Sequence, residues 1–359
     1  MRKILPSRRE NMTTDTGLTM DGLTPILFGH ASFQYLNAGC EIGLFQLLQY
    51  KPNVTEDVIR QELGLEKRAV DVLLLGTTSL QLTVREDGRY RNAAVLNKLF
   101  EDGQWDRFVN VVAFEAHIVY TGQIDFVESL RKNTNVGLRQ VRGVGRDLYH
   151  RFEENPAMER IFYRYMRSWS ELSNPLLLKQ ADFSGVSSLL DVGGGDAVNA
   201  IALAQAHPHL KITILEIPAT GPIARKRVED SGLSGRITVE ECDFFSDPFP
   251  AGADCVLFAH QLVIWEPEEN VELLRRAHKV LPDGGKTIIF SSMSNDEGDG
   301  PLMAALDSAY FAALPAQGGM IYAWRQYEEW LREAGFSADR LQRVAGESWT
   351  PHGLIVATK

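Results

Sequence analysis

The hydrophobic pattern of the chain changes near residue 182. From there on, short apolar runs alternate with longer segments of helical periodicity, which is typical of strands alternating with helices. This alternation predicts a parallel sheet covered by helices, and the last two runs predict a closing antiparallel pair. The predicted strands are Ser188–Val192, Ile212–Leu215, Arg236–Val239, Cys255–Phe258, Thr287–Ser291, Arg340–Glu347 and Gly353–Thr358.

Residues 23 to about 150 follow helical periodicity, whereas residues 1 to about 22 show none. Within the periodic part, Thr55 to Tyr90 predicts helix, turn, helix and hairpin, with Asp87-Gly88 at the hairpin turn, which is a winged-helix pattern. Its second helix, Lys67 to Thr77, is mostly apolar, so we expect it to pack inside the protein and not to enter a DNA groove. A long helix, Asn155 to Ala181, is expected to connect the two halves. We therefore predict a loose tail at 1–22, a mainly helical winged-helix domain at 23–181 and an α/β domain at 182–359.

Composition and charge restrict the classes of partner. The 359 residues carry a formal net charge of −10, which argues against nucleic acid because phosphate binding needs a basic surface. No apolar run approaches the roughly 20 residues of a membrane span. The three cysteines, Cys40, Cys242 and Cys255, are scattered and form no CxxC pair. They indicate buried thiols in a reducing cytoplasm, and neither a disulfide framework nor a metal site.

The most informative chemical signal is a glycine turn in the α/β half. An apolar run ends at Asp191, breaks at Gly193-Gly194-Gly195 and continues as a helix, and the next strand ends at Glu216. Glycines allow close approach of backbone to a ligand, and the second acid is placed to accept hydrogen bonds from ribose hydroxyls. A nicotinamide or flavin site would share these features. Asp191, however, would repel a pyrophosphate, whereas S-adenosylmethionine (SAM) has no phosphate and carries a sulfonium and an ammonium group.

A third acid supports a nucleoside cofactor. Asp243 and Phe244 follow the third predicted strand, and the ends of successive strands line the ligand crevice of a doubly wound sheet. Asp243 could accept a hydrogen bond from the exocyclic amine of adenine, and Phe244 could pack against its ring. A turn with a core aromatic residue would explain this pair alone. Acids at three consecutive strand ends favour SAM.

These residues belong to a longer pattern. The chain resembles the SAM-dependent small-molecule methyltransferases of the plant-type and bacterial antibiotic O-methyltransferase superfamily. The similar segments, in the family's order, are HASFQYLNAGCEIGLFQLL (30–48), DFSGVSSLLDVGGG (182–195), LLRRAHKVLPDGGKTIIF (273–290) and YEEWLREAGF (327–336). The resemblance implies a Rossmann-like SAM-binding domain whose helical N-terminal domain dimerises and walls the active site. It also implies that Met166 and Ser170, on the connecting helix, contact the methionine end of SAM.

One departure from the family pattern bears on the chemistry. The O-methyltransferases carry a His-Asp-Trp triplet after the fourth strand, and its histidine deprotonates the substrate hydroxyl. Aligned on Trp265, this chain has Val263 and Ile264 there, which cannot move a proton. The nearby His260 is a candidate base, hydrogen-bond donor or metal ligand, but a metal site needs several ligands and we expect none here. The chain thus resembles the C-methyltransferase branch, which acts on aromatic amino acids, aryl keto acids or tetrapyrroles.

Candidate substrate residues lie outside the glycine motif. His117, on a helix that should face the crevice in this family, is a second catalytic candidate, although a histidine on a helix surface explains it equally. Arg146 could hold a substrate carboxylate with its fork of donors, although a solvated charge also explains it. After the fifth strand, an apolar and aromatic group is expected to supply part of a wall around a planar substrate, with other members in the core. Its members are Tyr310, Phe311, Met320, Tyr322 and Trp324.

The sequence therefore predicts a cytoplasmic, homodimeric, SAM-dependent methyltransferase that acts on a small aromatic metabolite in natural-product biosynthesis. Methyl transfer to carbon of an aromatic amino acid or aryl keto acid is the favoured reaction. An O-methyltransferase with a displaced base and a winged-helix protein that binds SAM without catalysis stay open as alternatives. The dimer follows from the segment His30 to Leu48, which carries more large apolar side chains than one helix face buries alone.

Overall fold

The computed structural model describes residues 17–346 and 350–359, and the chain divides into two compact units between Gln104 and Trp105. The first unit is mainly helical, with a three-stranded antiparallel sheet of order β1-β3-β2. Its elements are α1 (Met20–Leu27), α2 (Gly29–Glu41), α3 (Leu44–Tyr50), β1 (Val54–Thr55), α4 (Glu56–Leu63), α5 (Lys67–Ser79), β2 (Thr83–Glu86), β3 (Arg89–Asn92) and α6 (Ala94–Glu101).

The first unit contains the helix, turn, helix and hairpin predicted from the sequence. Asp87 and Gly88 both have positive φ at the hairpin turn, as a two-residue turn between antiparallel strands requires. On α5, the side chains of Val70, Leu73 and Leu74 are buried inside the unit. The apolar face of this helix is therefore used for packing.

Two expectations for the N-terminal region need correction. The sequence predicts a loose segment over 1–22, but α1 begins at Met20. The Thr19 hydroxyl caps this helix by accepting a hydrogen bond from the Gly22 amide. Residues 1–16 lie outside the described residues. The apolar segment 30–48 is two helices, because Gly43 takes the left-handed conformation between α2 and α3. The large side chains at the start of α3 are buried, whereas several apolar side chains in α1 are more than half exposed.

The second unit begins with helices that precede the sheet. Phe114 ends a helix that continues directly into a π-helical turn over Glu115–Val119. The helices of this part are α7 (Trp105–Phe114), α8 (Tyr120–Gly122), α9 (Phe126–Lys132), α10 (Leu148–Arg151) and α11 (Pro156–Gln180). The domain border proposed from sequence, 181/182, falls inside this compact unit because α11 packs against the sheet domain.

A seven-stranded sheet forms the centre of the second unit. Its order is β6-β5-β4-β7-β8-β10-β9; neighbours from β6 to β8 pair in parallel, and β10 is antiparallel to both β8 and β9. The strands are β4 (Ser188–Val192), β5 (Lys211–Glu216), β6 (Ile237–Glu241), β7 (Cys255–Ala259), β8 (Lys286–Ser292), β9 (Gln342–Ala345) and β10 (His352–Thr358). The parallel sheet and its closing antiparallel pair are as predicted, except that Glu347 lies outside the described residues.

Helices cover both faces of this sheet. They are α12 (Val198–Ala206), α13 (Gly221–Asp230), α14 (Pro267–Val280) and α16 (Trp324–Glu333), whereas α15 (Leu302–Ala313) packs against α9. Successive strand residues point to opposite faces, so Leu189 packs in the core beneath α12 and α13 while Leu190 packs beneath α14 and α16. The strand order reverses between β4 and β7, which is where open α/β sheets bind ligands. None of the described helices combines the length and apolar character needed to cross a membrane.

Candidate active site

A cavity of about 690 Å³ lies at the carboxyl ends of β4, β5 and β7. Its volume is within the range of pockets that hold small organic ligands and cofactors. The glycine turn, α11, the loop before α10 and the segments after β5, β6 and β7 supply its lining. The predicted site residues that line it are Arg146, Met166, Ser170, Gly193, Gly195, Glu216, Asp243, Phe244 and His260.

The glycine turn requires glycine for two separate reasons. Gly193 and Gly195 have φ values of +70° and +58°, which side chains rarely allow. In addition, a Cβ atom on Gly193 would lie 1.7 Å from Nε2 of Gln261. The Gly193 amide donates to the Leu215 carbonyl at 2.9 Å, which ties the turn to the end of β5. The backbone between β4 and α12 is thereby exposed to the cavity without intervening side chains.

The buried Glu216 is held by backbone donors at the end of β5. Its Oε1 accepts from the Gly195 amide at 2.9 Å and its Oε2 from the Ile217 amide at 2.8 Å. Burial raises the pKa of this carboxyl to about 7, although both hydrogen bonds act in the opposite direction. The carboxyl is thus oriented, and it can accept further hydrogen bonds from a ligand in the cavity.

Asp191 is buried at the base of the glycine turn. Neither of its carboxyl oxygens has a hydrogen-bond donor among the described residues. Burial raises its pKa to about 7, and the nearby charge of Glu216 adds to the effect. Asp191 is not among the residues that line the cavity, but its carboxyl lies against Gly194, which does line it. A buried carboxyl without a partner is unfavourable by itself.

Asp243 and Phe244 follow β6 and also line the cavity. The Asp243 carboxylate accepts hydrogen bonds from the amides of Phe245 and Ser246, at 2.9 and 3.3 Å, and therefore closes its own turn. These bonds lower its pKa, and the positive charge of Arg146 contributes. Phe244 is buried in the core but also lines the cavity. Both interpretations of this pair, turn formation and contact with a ligand, are compatible with the geometry.

The loop that carries Arg146 is fixed by a neighbouring arginine. Arg151 donates to the carbonyls of Gly145, Leu138 and Val141, at 2.8, 2.7 and 2.7 Å. The Arg146 side chain remains largely exposed at the cavity wall.

His260 follows β7 directly and takes a left-handed backbone conformation with φ of +58°. Its amide donates to the Phe290 carbonyl at 2.8 Å, and its Nε2 lies 3.3 Å from Oγ of Ser173 on α11. Because the Ser173 hydroxyl donates to the Ser170 carbonyl, the pattern favours a proton on Nε2 and a free lone pair on Nδ1. Burial lowers the pKa of His260 to about 4, so the imidazole is neutral near pH 7.

His352, which the sequence analysis did not select, lies behind His260. The two ring centroids are 5.0 Å apart in an edge-to-face arrangement. His352 is buried, and its Nδ1 lies 2.6 Å from Oγ1 of Thr350. The sheet order could have indicated it, since β10 pairs with β8, which pairs with the strand that leads to His260.

Comparison with known proteins agrees with this geometry. Residues 125–337 match the model of a family described as the O-methyltransferase domain. The chain belongs to this family. It is 60% identical over 342 residues to an L-tyrosine C(3)-methyltransferase of Streptomyces lavendulae, covering 95% of this chain and 93% of that protein. It is 33% identical to a 3-hydroxy-5-methyl-1-naphthoate 3-O-methyltransferase of Streptomyces sahachiroi, covering 94% of each.

A solved structure shows the same relation. The SAM-dependent methyltransferase SibL, in its apo form, is 47% identical with a TM-score of 0.84, covering 95% of this chain and 99% of that one. The chain is thus a SAM-dependent methyltransferase with a small-molecule substrate. The cavity fits the cofactor, because an oriented glutamate and a side-chain-free turn line it, and the unpaired carboxyl of Asp191 lies against Gly194 of that turn.

The methyltransferase has apolar side chains where its family carries the base. Ile264 lines the main cavity, and Val263 lines a smaller adjoining cavity of about 40 Å³. Both are buried. His260 is the histidine that lines both cavities in the described part of the chain.

Six predicted site residues are not among those that line the main cavity, and one of them is Asp191, which is buried against Gly194 of the glycine turn. His117 is exposed on the π-helical turn, and Tyr310 lines the smaller cavity. Met320 is 40% exposed, and the Tyr322 hydroxyl donates within the protein, to the carbonyls of Trp265 and Gly318. Trp324 packs in the core beneath α16. Spacing along the chain did not separate the members of the aromatic group, because it does not show which side chains face the cavity after the turn at Gly318, where φ is +86°.

Proposed function

We propose that this methyltransferase transfers a methyl group from SAM to a ring carbon of L-tyrosine or a closely related phenolic amino acid. The observation that carries the proposal is the pair Val263 and Ile264, which leaves the family's O-methylation base position without a titratable group. The 60% identity to an L-tyrosine C(3)-methyltransferase supports the same reaction.

We propose that the cofactor lies across the carboxyl ends of β4, β5 and β6. Asp191 and Glu216 would accept hydrogen bonds, Gly193 and Gly195 would allow close approach, and Met166 and Ser170 would contact the methionine end. All of these except Asp191 line the cavity. Asp243 and Phe244 would border the adenine. Bound SAM supplies an electrophilic methyl group.

The chain would contribute to catalysis by positioning the substrate and by accepting a hydrogen bond from its phenolic hydroxyl. Methyl transfer to carbon forms a C–CH₃ bond, breaks the S–CH₃ bond and releases one ring proton. His260, neutral near pH 7, can accept a hydrogen bond from the phenolic hydroxyl and so increase electron density at the neighbouring ring carbons. Most of the rate enhancement would come from holding that carbon opposite the sulfonium, because orientation alone can supply an effective molarity of roughly 10⁵ M or more.

The reaction is tested with ring-deuterated substrates. We incubate the protein with SAM and a panel of L-tyrosine, 4-hydroxyphenylpyruvate and simple phenols, and weigh the products by mass spectrometry. Carbon transfer adds one methyl group and removes one ring deuteron from L-tyrosine. A product that gains a methyl group and keeps every ring deuteron would instead support the O-methyltransferase alternative.

We also propose a cytoplasmic homodimer. Several apolar side chains around α1 support the dimer, because Met20, Ile26 and Leu27 are each more than half exposed. The cysteines support a reducing compartment, because Cys40, Cys242 and Cys255 are free and buried.

A further inference from the structure

We propose that Asp307 binds the α-ammonium group of the substrate and so selects an amino acid over the corresponding keto acid. This inference rests on the proposed carbon transfer to a phenolic amino acid. It adds the residue that recognises the part of the substrate remote from the reacting ring.

Asp307 lies on α15 and lines the smaller cavity beside the main one. The two cavities share Tyr149, Phe162, Met166, His260 and Ile264, so the smaller is a side pocket of the larger. With a volume of about 40 Å³, it has room for a group of a few heavy atoms and not for an aromatic ring. A substrate whose ring occupies the main cavity could therefore extend only a small group into this pocket.

The chain, where the structure describes it, supplies no counter-charge for the acid in the side pocket, so burial raises the pKa of Asp307 to about 7, and a bound ammonium group would lower it again. No lysine or arginine is among the described residues that line it, and His260 is neutral near pH 7. Within the described part of the chain, Asp307 has no hydrogen bond or ion pair. A second acid, Glu115 on the π-helical turn, is close enough for the charge of Asp307 to raise its pKa. The local potential thus favours a cation.

The rest of the lining suits an ammonium group. Aromatic rings surround the pocket, and their faces attract cations when water is excluded. The rings are those of Tyr149, Phe162, Tyr165, Trp169, Tyr310 and Phe311. A keto acid would present a carbonyl oxygen at the same point, and the Asp307 carboxylate would repel it. This pocket would therefore favour an aromatic amino acid over an aryl keto acid. The sequence alone is compatible with both substrates.

The test compares ligands that differ only in the amine. We measure binding and KM for L-tyrosine against 3-(4-hydroxyphenyl)propionate, and binding of tyramine against 4-ethylphenol, in the SAM-loaded wild type and in Asp307→Asn. A charged hydrogen bond corresponds to roughly a tenfold or greater change in affinity. We expect that loss for L-tyrosine and tyramine in Asp307→Asn, and less than about a twofold change for the two ligands without an amine.

The matched control is Glu115→Gln, which removes a neighbouring buried charge from a residue that does not line either cavity. We expect its effect on L-tyrosine to be less than about threefold. Equal losses in the two variants, equal losses for amine and amine-free ligands, or a wild type that binds 4-ethylphenol as tightly as tyramine would each overturn the inference. The amine comparison in the wild type needs no mutant to fold.

Failure of this inference is distinguishable from failure of the proposed function. If the wild type methylates a ring carbon of the keto acid and not of L-tyrosine, the ammonium pocket is wrong while carbon transfer stands. If methyl is transferred to oxygen, carbon transfer is wrong, and the amine comparison still decides the role of Asp307.

Discussion

At the residue scale, the account depends on His260 and on the apolar pair that follows it. His260→Ala should lower turnover about 10²-fold or more, because a hydrogen-bonding partner of the reacting phenol is removed. His209→Ala, at an exposed turn, should leave turnover unchanged. Steady-state kinetics under saturating SAM decides this. A nearly silent His260→Ala would move the search to the other side chains that line the main cavity.

Val263→His tests whether the reaction needs a base at the position where the family carries one. Restoring the family's histidine should leave turnover unchanged or lower it, because an imidazole would be buried among apolar side chains without a partner. Faster formation of an O-methylated product in this variant would contradict carbon transfer.

The pH dependence follows from the depressed pKa of His260. Burial disfavours the protonated imidazole, so that form accumulates only as pH falls towards about 4. The contribution of His260 to kcat should therefore be constant from roughly pH 6 upwards, whereas a solvated histidine would already be half protonated near pH 6.5. A pH profile of kcat for wild type divided by that of His260→Ala isolates this contribution. A midpoint near pH 6.5 in that ratio would contradict it.

Asp191 should link cofactor binding to stability. The pKa of Asp191 in the folded protein, about 7, lies above its value in the unfolded chain. Protonated Asp191 therefore contributes to the stability of the folded protein at low pH, and this contribution is lost as pH rises through about 7. Asp191→Asn should therefore raise Tm of the SAM-free protein at pH 8, change it little near pH 4, and weaken SAM binding roughly tenfold or more. Differential scanning fluorimetry and calorimetric titration measure both. Unchanged SAM affinity would mean that the cofactor site is misplaced.

At the element scale, the glycine turn offers a controlled test of close packing. Gly193→Ala combines a positive φ with a Cβ atom 1.7 Å from Gln261, so both the turn and SAM binding should be lost or strongly weakened. Gly185→Ala has a similar φ of +75° but no atom within 4 Å of the new Cβ. It should cost about 1–2 kcal/mol of stability and leave SAM affinity unchanged. Similar SAM affinities in the two variants would show that the turn does not contact the cofactor.

The elements differ in how far the sequence could predict them. β4 was predicted at its observed bounds and the other parallel strands within about two residues, because buried strands are continuous apolar runs bounded by turns. The break at Gly43 and the π-helical turn at Glu115 depend on local backbone conformation, which hydrophobic periodicity does not record. His352 and Asp307 were missed for another reason. Each reaches the site through pairing or packing between segments far apart in sequence.

At the scale of the whole molecule, the dimer is the prediction that the surface supports. Light scattering at micromolar concentration should give the mass of two chains. Ile26→Glu combined with Leu27→Glu should shift the mass towards one chain, because charge would be placed on an apolar surface. Val95→Glu, at a comparably exposed apolar position, should not. A wild-type monomer would refute the proposed assembly.

The central claim, transfer of methyl to a ring carbon, is tested most directly by locating the methyl group. L-Tyrosine is incubated with the protein and SAM labelled with ¹³C in its methyl group, and the product is examined by two-dimensional NMR. The account predicts a labelled methyl that correlates with ring carbons beside the hydroxyl-bearing carbon, and a ring that has lost one proton. A labelled methyl on the phenolic oxygen or the amine nitrogen, with all ring protons retained, would contradict it.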